Sequence, residues 1–356
     1  MQNTPYFLAL NRIPHVGPRT ISKLLTHWPN LQELFKQSTS QLCAAGIKRN
    51  LAEAISSYNL DNVTLDLRWA EANNHHLLTW EHPNYPNLLK EIYDPPAVLY
   101  AIGALNCLLL PAIAIVGSRN PSITGKETAR HFGYELANNG LCIVSGLALG
   151  IDAQAHQGCL QANAKTIAVL GAGINCIYPA RHHNLAAQIT ERGLLVSEFP
   201  LNSRPHAQHF PQRNRIISGL SLATLVIEAA LHSGSLITAR LSLEQNRDVM
   251  AVPGSILNPQ SRGCHYLVQQ GAKLITSCQD VLNELGMDQK TKWLAIQQTI
   301  CNNKNDLIKY IGFELTTIDQ LISRSGKDLE KVSCDLAALE IAGIIKAVPG
   351  GYMRSV

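Results

Sequence analysis

The residues with the plainest chemistry lie in Phe210-Pro-Gln-Arg-Asn-Arg-Ile-Ile217, where Arg213 and Arg215 flank Asn214 and where Arg204, His206 and His209 come just before. Guanidinium groups at that density suit phosphate, whose oxygens they bind in pairs. Phe210, or Tyr178 upstream, offers a face on which a base can stack. A solvated arginine-rich loop has the same composition, so the run has to be weighed with its surroundings. A second anion signal is Gly117-Ser-Arg-Asn-Pro-Ser-Ile-Thr-Gly125. It follows an apolar run and opens a helix, so free amides and the helix dipole point into the turn, and Arg119 adds a full charge. Ala230-Leu-His-Ser-Gly-Ser-Leu-Ile-Thr-Ala239 repeats that logic, with Ser233, Gly234 and Ser235 at a helix start as phosphate donors or as caps. Ser145-Gly146, ending another apolar run, completes the candidate set.

Catalytic chemistry has little support. Gly125-Lys126 is not a P-loop, because the preceding glycine stands at 117 instead of 120 and Glu127 occupies the place of the metal-binding Ser or Thr. Gly171-Ala-Gly173, with Glu198 ending the next strand, has part of a dinucleotide fingerprint, but Cys176 fills the third glycine's place. Asp152, His156 and Glu228 can meet at strand ends, yet no nucleophile elbow, H-E-x-x-H motif or metal-spaced cluster accompanies them. The expectation is no catalytic residue, no metal and no cofactor.

These motifs need a scaffold that gathers strand ends. From residue 112 short apolar strands alternate with amphipathic helices: Ala112–Gly117, Leu141–Ser145, Thr166–Gly171, Leu194–Glu198, Ala223–Ala229, Asp248–Pro253 and Lys273–Thr276. That alternation predicts an α/β fold with a parallel sheet covered on both faces, whose ligands sit at the carboxyl ends of the strands. Residues 1–75 read as a small helical domain in which Ile13-Pro-His-Val-Gly-Pro-Arg-Thr-Ile-Ser-Lys-Leu-Leu25 resembles a helix-hairpin-helix element, its glycine turn either a phosphate donor or a plain connection. Residues 76–285 hold the sheet, and 286–305 read as a polar linker. Residues 306–356 read as helix (316–322), helix (328–343) and a hairpin (344–353) turning at Pro349-Gly-Gly351, the order of a winged helix.

Composition sets the bounds. A chain of 356 residues suits two or three domains, and 46% hydrophobic with 16% charged residues leaves little for disordered tails. A net charge of +4 confines any nucleic-acid site to a local cluster. Nine cysteines, an odd number without a C-x-x-C pair, read as reduced thiols of a cytoplasmic protein. The opening apolar run ends at Asn11-Arg12, short of a signal peptide, and Leu105–Val116 is broken by Pro111, well below the roughly 20 residues of a membrane span.

Ala114-Ile-Val-Gly-Ser-Arg119, Val144-Ser-Gly-Leu-Ala-Leu-Gly-Ile-Asp-Ala-Gln-Ala-His156, Arg213-Asn-Arg-Ile-Ile-Ser-Gly219, Ser233-Gly-Ser-Leu-Ile-Thr-Ala239 and Ala251-Val-Pro-Gly254 follow one another in a fixed order. In those runs, and in the helical start and winged-helix end, the chain resembles the DprA (DNA-processing protein A, or Smf) family. The resemblance implies an extended Rossmann-like, doubly wound, mostly parallel sheet between a SAM-like or helix-hairpin-helix-like domain and a winged helix. It implies a homodimer that binds single-stranded DNA in a basic pocket containing the Gly-Ser-Arg loop, protects incoming DNA and loads RecA during natural transformation, without catalysis. Physically, Arg119, Arg213 and Arg215, with amides at Gly117-Ser118 and Ser233-Gly234-Ser235, are expected to grip one strand's phosphates. That requires Arg119 and Arg215 to face a common groove. Two competing readings are a Rossmann-like nucleotide N-glycosidase, for which Pro253-Gly-Ser255 replaces a Pro-Gly-Gly loop, and a nucleotide-sensing winged-helix transcription regulator. The helix at 328–343 mixes Lys331 with Glu330 and Glu340, a weak basic face that favours an accessory or partner-binding role.

Overall fold

Ala112 to Val116 are all buried, as a strand covered on both faces must be. The computed structural model describes residues 3–287, 306–312, 315–341 and 345–354, so most of the expected linker, 288–305, lies outside the described residues. The chain divides into two units, Met1–Leu285 and Gly286–Val356.

The first unit is built on nine strands: β1 (His75–Thr79), β2 (Val98–Gly103), β3 (Ala112–Gly117), β4 (Cys142–Ser145), β5 (Thr166–Val169), β6 (Leu194–Ser197), β7 (Ala223–Ile227), β8 (Asp248–Ala251) and β9 (Lys273–Leu274). Their order in the sheet is β1-β2-β6-β5-β4-β3-β7-β8-β9. From β6 to β9 every neighbouring pair is parallel, with Ile113 opposite Ile143 on one side and Ala223 on the other. The chain steps outward from β3 to β6, returns to the other side of β3 as β7, and steps outward again. The β3–β7 boundary is therefore the topological switch point of a doubly wound sheet, where a crevice opens at the strand ends. β1 and β2 add an antiparallel edge on β6, with Tyr100 opposite Ser197. Neither strand was among those expected, although Val98-Leu-Tyr-Ala-Ile102 is an apolar run bounded by Pro96 and Gly103.

Helices cover both faces. Ile123–Asn138 follows β3 and Ile151–Gln161 follows β4. These two touch backbone to backbone: a Cβ on Gly133 would lie 2.4 Å from the Ala155 carbonyl oxygen, and one on Gly158 would lie 2.1 Å from that of Arg130. The N-terminal helices Thr4–Arg12 and Pro18–His27 place Phe7, Leu10 and Ile21 in one core with Val98, Tyr100 and Leu195 of the sheet. A buried Asp66 pins them, accepting from Arg12 Nη2 at 2.5 Å and from the Tyr100 hydroxyl at 3.0 Å. In the hairpin expected at Ile13–Leu25, Ile21 and Leu24 turn inward and the Arg19 guanidinium sits 3.3 Å above the ring of Tyr93.

The second unit is a winged helix. Thr317 caps the helix Ile318–Ser325 through a capping box with Gln320; Leu329–Ile341 follows, then the antiparallel hairpin β10 (Ile345–Val348) and β11 (Gly351–Arg354). Leu321, Val332, Leu336 and Ile345 close its core.

Candidate nucleic-acid interface

A cleft of about 620 Å³ opens at the carboxyl ends of β3 and β7. One wall is the loop Gly117-Ser118-Arg119, a second is the helix His209–Gly219 through Phe210, Arg213 and Asn214, and a third is the start of the helix Gly234–Glu244 with Ser233, Gly234 and Ser235. Arg119 is exposed, and its guanidinium carbon lies 5.3 Å from the centroid of the Phe210 ring. Tyr178, half exposed, continues the aromatic strip with its centroid 5.6 Å from that of Phe210. Asp152 is the one carboxylate among the described lining residues, against the two guanidiniums of Arg119 and Arg213. The cleft therefore carries net positive charge, which suits a polyanion.

Arg213 is 3% exposed and forms the floor. Its Nη1 donates to the Gly146 carbonyl at 2.6 Å and also to that of Val169. Burial lowers its pKa to about 10, with Asp152 opposing, so the cation persists at neutral pH. Its Nε has no hydrogen-bond partner among the described residues. Asp152 accepts from the Gly146 amide at 3.0 Å, and burial holds its carboxyl above the usual range against the pull of Arg213.

Arg215 does not share this groove. It is absent from the cleft lining; its Nη2 binds Glu198, and Asp94 Oδ2 lies 3.2 Å from its Nε as a charge contact without hydrogen-bond alignment. The reason is helical geometry: residues two apart on a helix point about 200° apart, so when Arg213 faces the cleft Arg215 faces away. The expectation that both arginines hold successive phosphates is corrected accordingly. Ser145 and Gly146 also fall outside the lining, because the Ser145 hydroxyl binds the Ile115 carbonyl at 2.6 Å and both Gly146 backbone groups serve Asp152 and Arg213. The amide of Ser118, expected to be free, donates to the Glu228 carbonyl at 2.6 Å. Ser233 acts as a cap, accepting from the Ser235 amide at 3.3 Å, while Asn214 donates to the Gly234 carbonyl at 3.3 Å.

Asp152, His156 and Glu228 do not meet. His156 is fully buried, its Nδ1 2.7 Å from Thr166 Oγ1. Since that hydroxyl donates to the Ile143 carbonyl, Nδ1 carries the proton and Nε2 has no hydrogen-bond partner among the described residues. Burial pushes the His156 pKa down to about 3, so the ring is neutral. Glu228 faces a separate cavity shared with Pro253, Gly254 and Ser255, where its carboxylate accepts from Ser122. The candidate residues drawn from the sequence omit Asn120, His232 and Thr238, which sit inside the two anion motifs, and Gln260, which no motif marks; the folded loops bring all four into the cleft lining.

Comparison with known proteins agrees with this architecture. The family model for DNA recombination-mediator protein A matches residues 76–286, and the DprA winged helix domain matches 302–351. Protein Smf of Escherichia coli strain K12 is 42% identical over 339 residues, covering 93% of this chain and 90% of that protein. DNA processing protein DprA of Bacillus subtilis is 47% identical over 202 residues, 56% of this chain and 68% of that protein. Among solved structures, DprA from Streptococcus pneumoniae superposes with a TM-score of 0.70 at 37% identity, covering 80% of this chain and 99% of that one. The single-stranded-DNA-binding DNA processing protein A of Helicobacter pylori gives 0.55 at 32% identity over 60% of this chain and 97% of that one. A parallel sheet with its basic cleft at the switch point, a winged helix later in the chain and these matches across most of the sequence place the chain in the DNA recombination-mediator protein A family, that of the DprA and Smf proteins.

Proposed function

We propose that the β3–β7 cleft binds a single strand of DNA, with Arg119 on a phosphate, Phe210 stacked on a base and Arg213 supplying positive potential from the floor. The observation that carries this reading is the exposed Arg119 guanidinium poised over the Phe210 ring at the mouth of a cleft with a second arginine beneath it. Stacking is open to a strand whose bases are unpaired and closed to a duplex, and phosphate contact makes binding independent of sequence. The role is that of a non-catalytic mediator. In support, the carboxylates near the strand ends are committed to protein partners, Asp152 to Gly146 and Glu228 to Ser122. On the family resemblance the reading extends to a cytoplasmic homodimer that protects incoming DNA and hands it to RecA during natural transformation.

An electrophoretic shift assay with one sequence offered as single strand and as duplex, with and without RecA, tests it. The single strand binds more tightly and the DNA-bound protein accelerates RecA filament formation. Equal affinity for the duplex, or release of free base from nucleoside monophosphates by the protein, overturns the reading.

A further inference from the structure

Glu228, the residue after β7, has φ +48°, a left-handed backbone uncommon for a residue with a side chain. Such a conformation survives only where the surroundings enforce it, and it gathers at functional sites. Here the carbonyl and the carboxylate of the residue both bind one loop, and the carboxylate also accepts from Asn258 Nδ2 of a second loop at 3.4 Å. The Glu228 carbonyl takes the Ser118 amide at 2.6 Å, and its carboxylate takes the Ser122 amide at 2.8 Å and the Ser122 hydroxyl at 2.5 Å. Ser122 in turn caps the helix Ile123–Asn138 by accepting from the Gly125 amide at 2.9 Å. Arg119 lies between the two anchored positions, so its backbone is held from both sides while its side chain stays free to reach over Phe210.

We propose that Glu228 is the positioning residue of the Arg119 loop and that Gly125 is the clearance that lets it act. This rests on the strand-binding reading above. A Cβ at Gly125 would lie 2.5 Å from the Glu228 carboxyl carbon and from its Oε2. What an added methyl meets first is therefore the end of a side chain and not backbone, and the carboxylate must leave Ser122 to make room. Gly125→Ala thus unseats the carboxylate while leaving it in the chain. Glu228→Gln keeps an acceptor for the Ser122 amide but removes the charge and turns an Nε2 donor toward the Ser122 hydroxyl, which must reverse its role and accept, so the grip is weakened by a second route.

The test is a set of salt titrations of binding to a single-stranded oligonucleotide, with melting temperatures measured alongside, for wild type, Arg119→Ala, Glu228→Gln, Gly125→Ala and the Arg119→Ala/Glu228→Gln pair. Gly125→Ala is expected to melt only modestly below wild type, because the helix-forming gain of alanine offsets part of the lost Ser122 bonds, and yet to bind several-fold more weakly. Glu228→Gln weakens binding to a similar extent, and both flatten the salt dependence toward that of Arg119→Ala. In the Arg119→Ala background Glu228→Gln adds less than about twofold, since a residue acting through Arg119 has nothing further to lose. If Arg119→Ala is weak while Glu228→Gln and Gly125→Ala bind like wild type, or if the losses of the pair multiply in full, the positioning role is overturned and the strand-binding reading stands. If Arg119→Ala itself binds like wild type, the strand-binding reading is the one that fails.

Discussion

Arg215→Ala separates the arginine that builds the fold from the arginine assigned to DNA. The Arg215 side chain is 6% exposed and that of its partner Glu198 is 9% exposed, so removing the guanidinium strands a carboxylate in a site water scarcely reaches. Breaking a buried pair in this one-sided way costs about 3 to 5 kcal/mol, whereas the second contact, to the 43% exposed Asp94, adds no more than about 1 kcal/mol. Burial already holds the Glu198 carboxyl above the usual carboxylate range, with Arg215 pulling the other way. Without Arg215 it rises further. A raised folded-state pKa gives stability that is present below the unfolded value and lost as pH climbs through the folded one. The deficit of the variant is therefore largest near neutral pH and shrinks as pH falls toward about 3, below the ordinary glutamate value, where Glu198 is protonated in both states. Urea unfolding of wild type and variant across that range reads it directly, and a salt titration on single-stranded DNA reads the other half: an unchanged slope. Replacing both partners, Arg215→Met with Glu198→Leu, restores most of the stability. A loss below about 1 kcal/mol at neutral pH, or a flattened salt slope, refutes the assignment of Arg215 to the scaffold.

Arg119→Ala lowers affinity for every single-stranded sequence by about tenfold or more and reduces the slope of log affinity against log salt by about 0.7, the share of one phosphate; a fluorescence-anisotropy titration checks both. Phe210→Ala costs about 1 to 3 kcal/mol of binding by the loss of one stacked base, with the salt slope kept. A flattened slope for that variant assigns Phe210 to holding Arg119 instead. His156→Asn retains a donor for Thr166 Oγ1 but has no ring to protonate. Wild type, whose His156 is held neutral with a pKa of about 3, gives up about 1.4 kcal/mol per pH unit between the ordinary histidine value and that point, and the variant shows a flatter profile over the same range in chemical denaturation.

Much of this arrangement is legible before folding. Ala112-Ile-Ala-Ile-Val-Gly117 and its successors announce a buried parallel sheet, and Gly117-Ser-Arg119 placed after the first of them marks where a ligand belongs. The arginines at 213 and 215 show where such reading stops. Pro211 and the polar residues around it suggest a loop, but a proline in the first turn is compatible with a helix, and on a helix the two side chains part company. His75-His-Leu-Leu-Thr79 is too short to declare itself a strand and gains its identity only by pairing with β2. Glu228 is invisible for a different reason: a charged residue after a strand as apolar as Ala223–Ile227 is ordinary, and its left-handed turn exists because Ser118 and Ser122, more than a hundred positions earlier, occupy its acceptors.

The glycine-mediated contact between Ile123–Asn138 and Ile151–Gln161 bears on how quickly a strand can be captured. Where Gly133 and Gly158 let the backbones meet, and where Arg130 reaches across to Gln154 and Gln157, the two helices have little room to slide or roll, so the Arg119 loop at the head of one and the Asp152 turn at the head of the other behave as a single casting. A receptor cast in its final shape arrives at each encounter ready, and its association rate is set by diffusion and charge instead of by a slow rearrangement. On the strand-binding reading proposed above, that readiness favours rapid capture of a single strand.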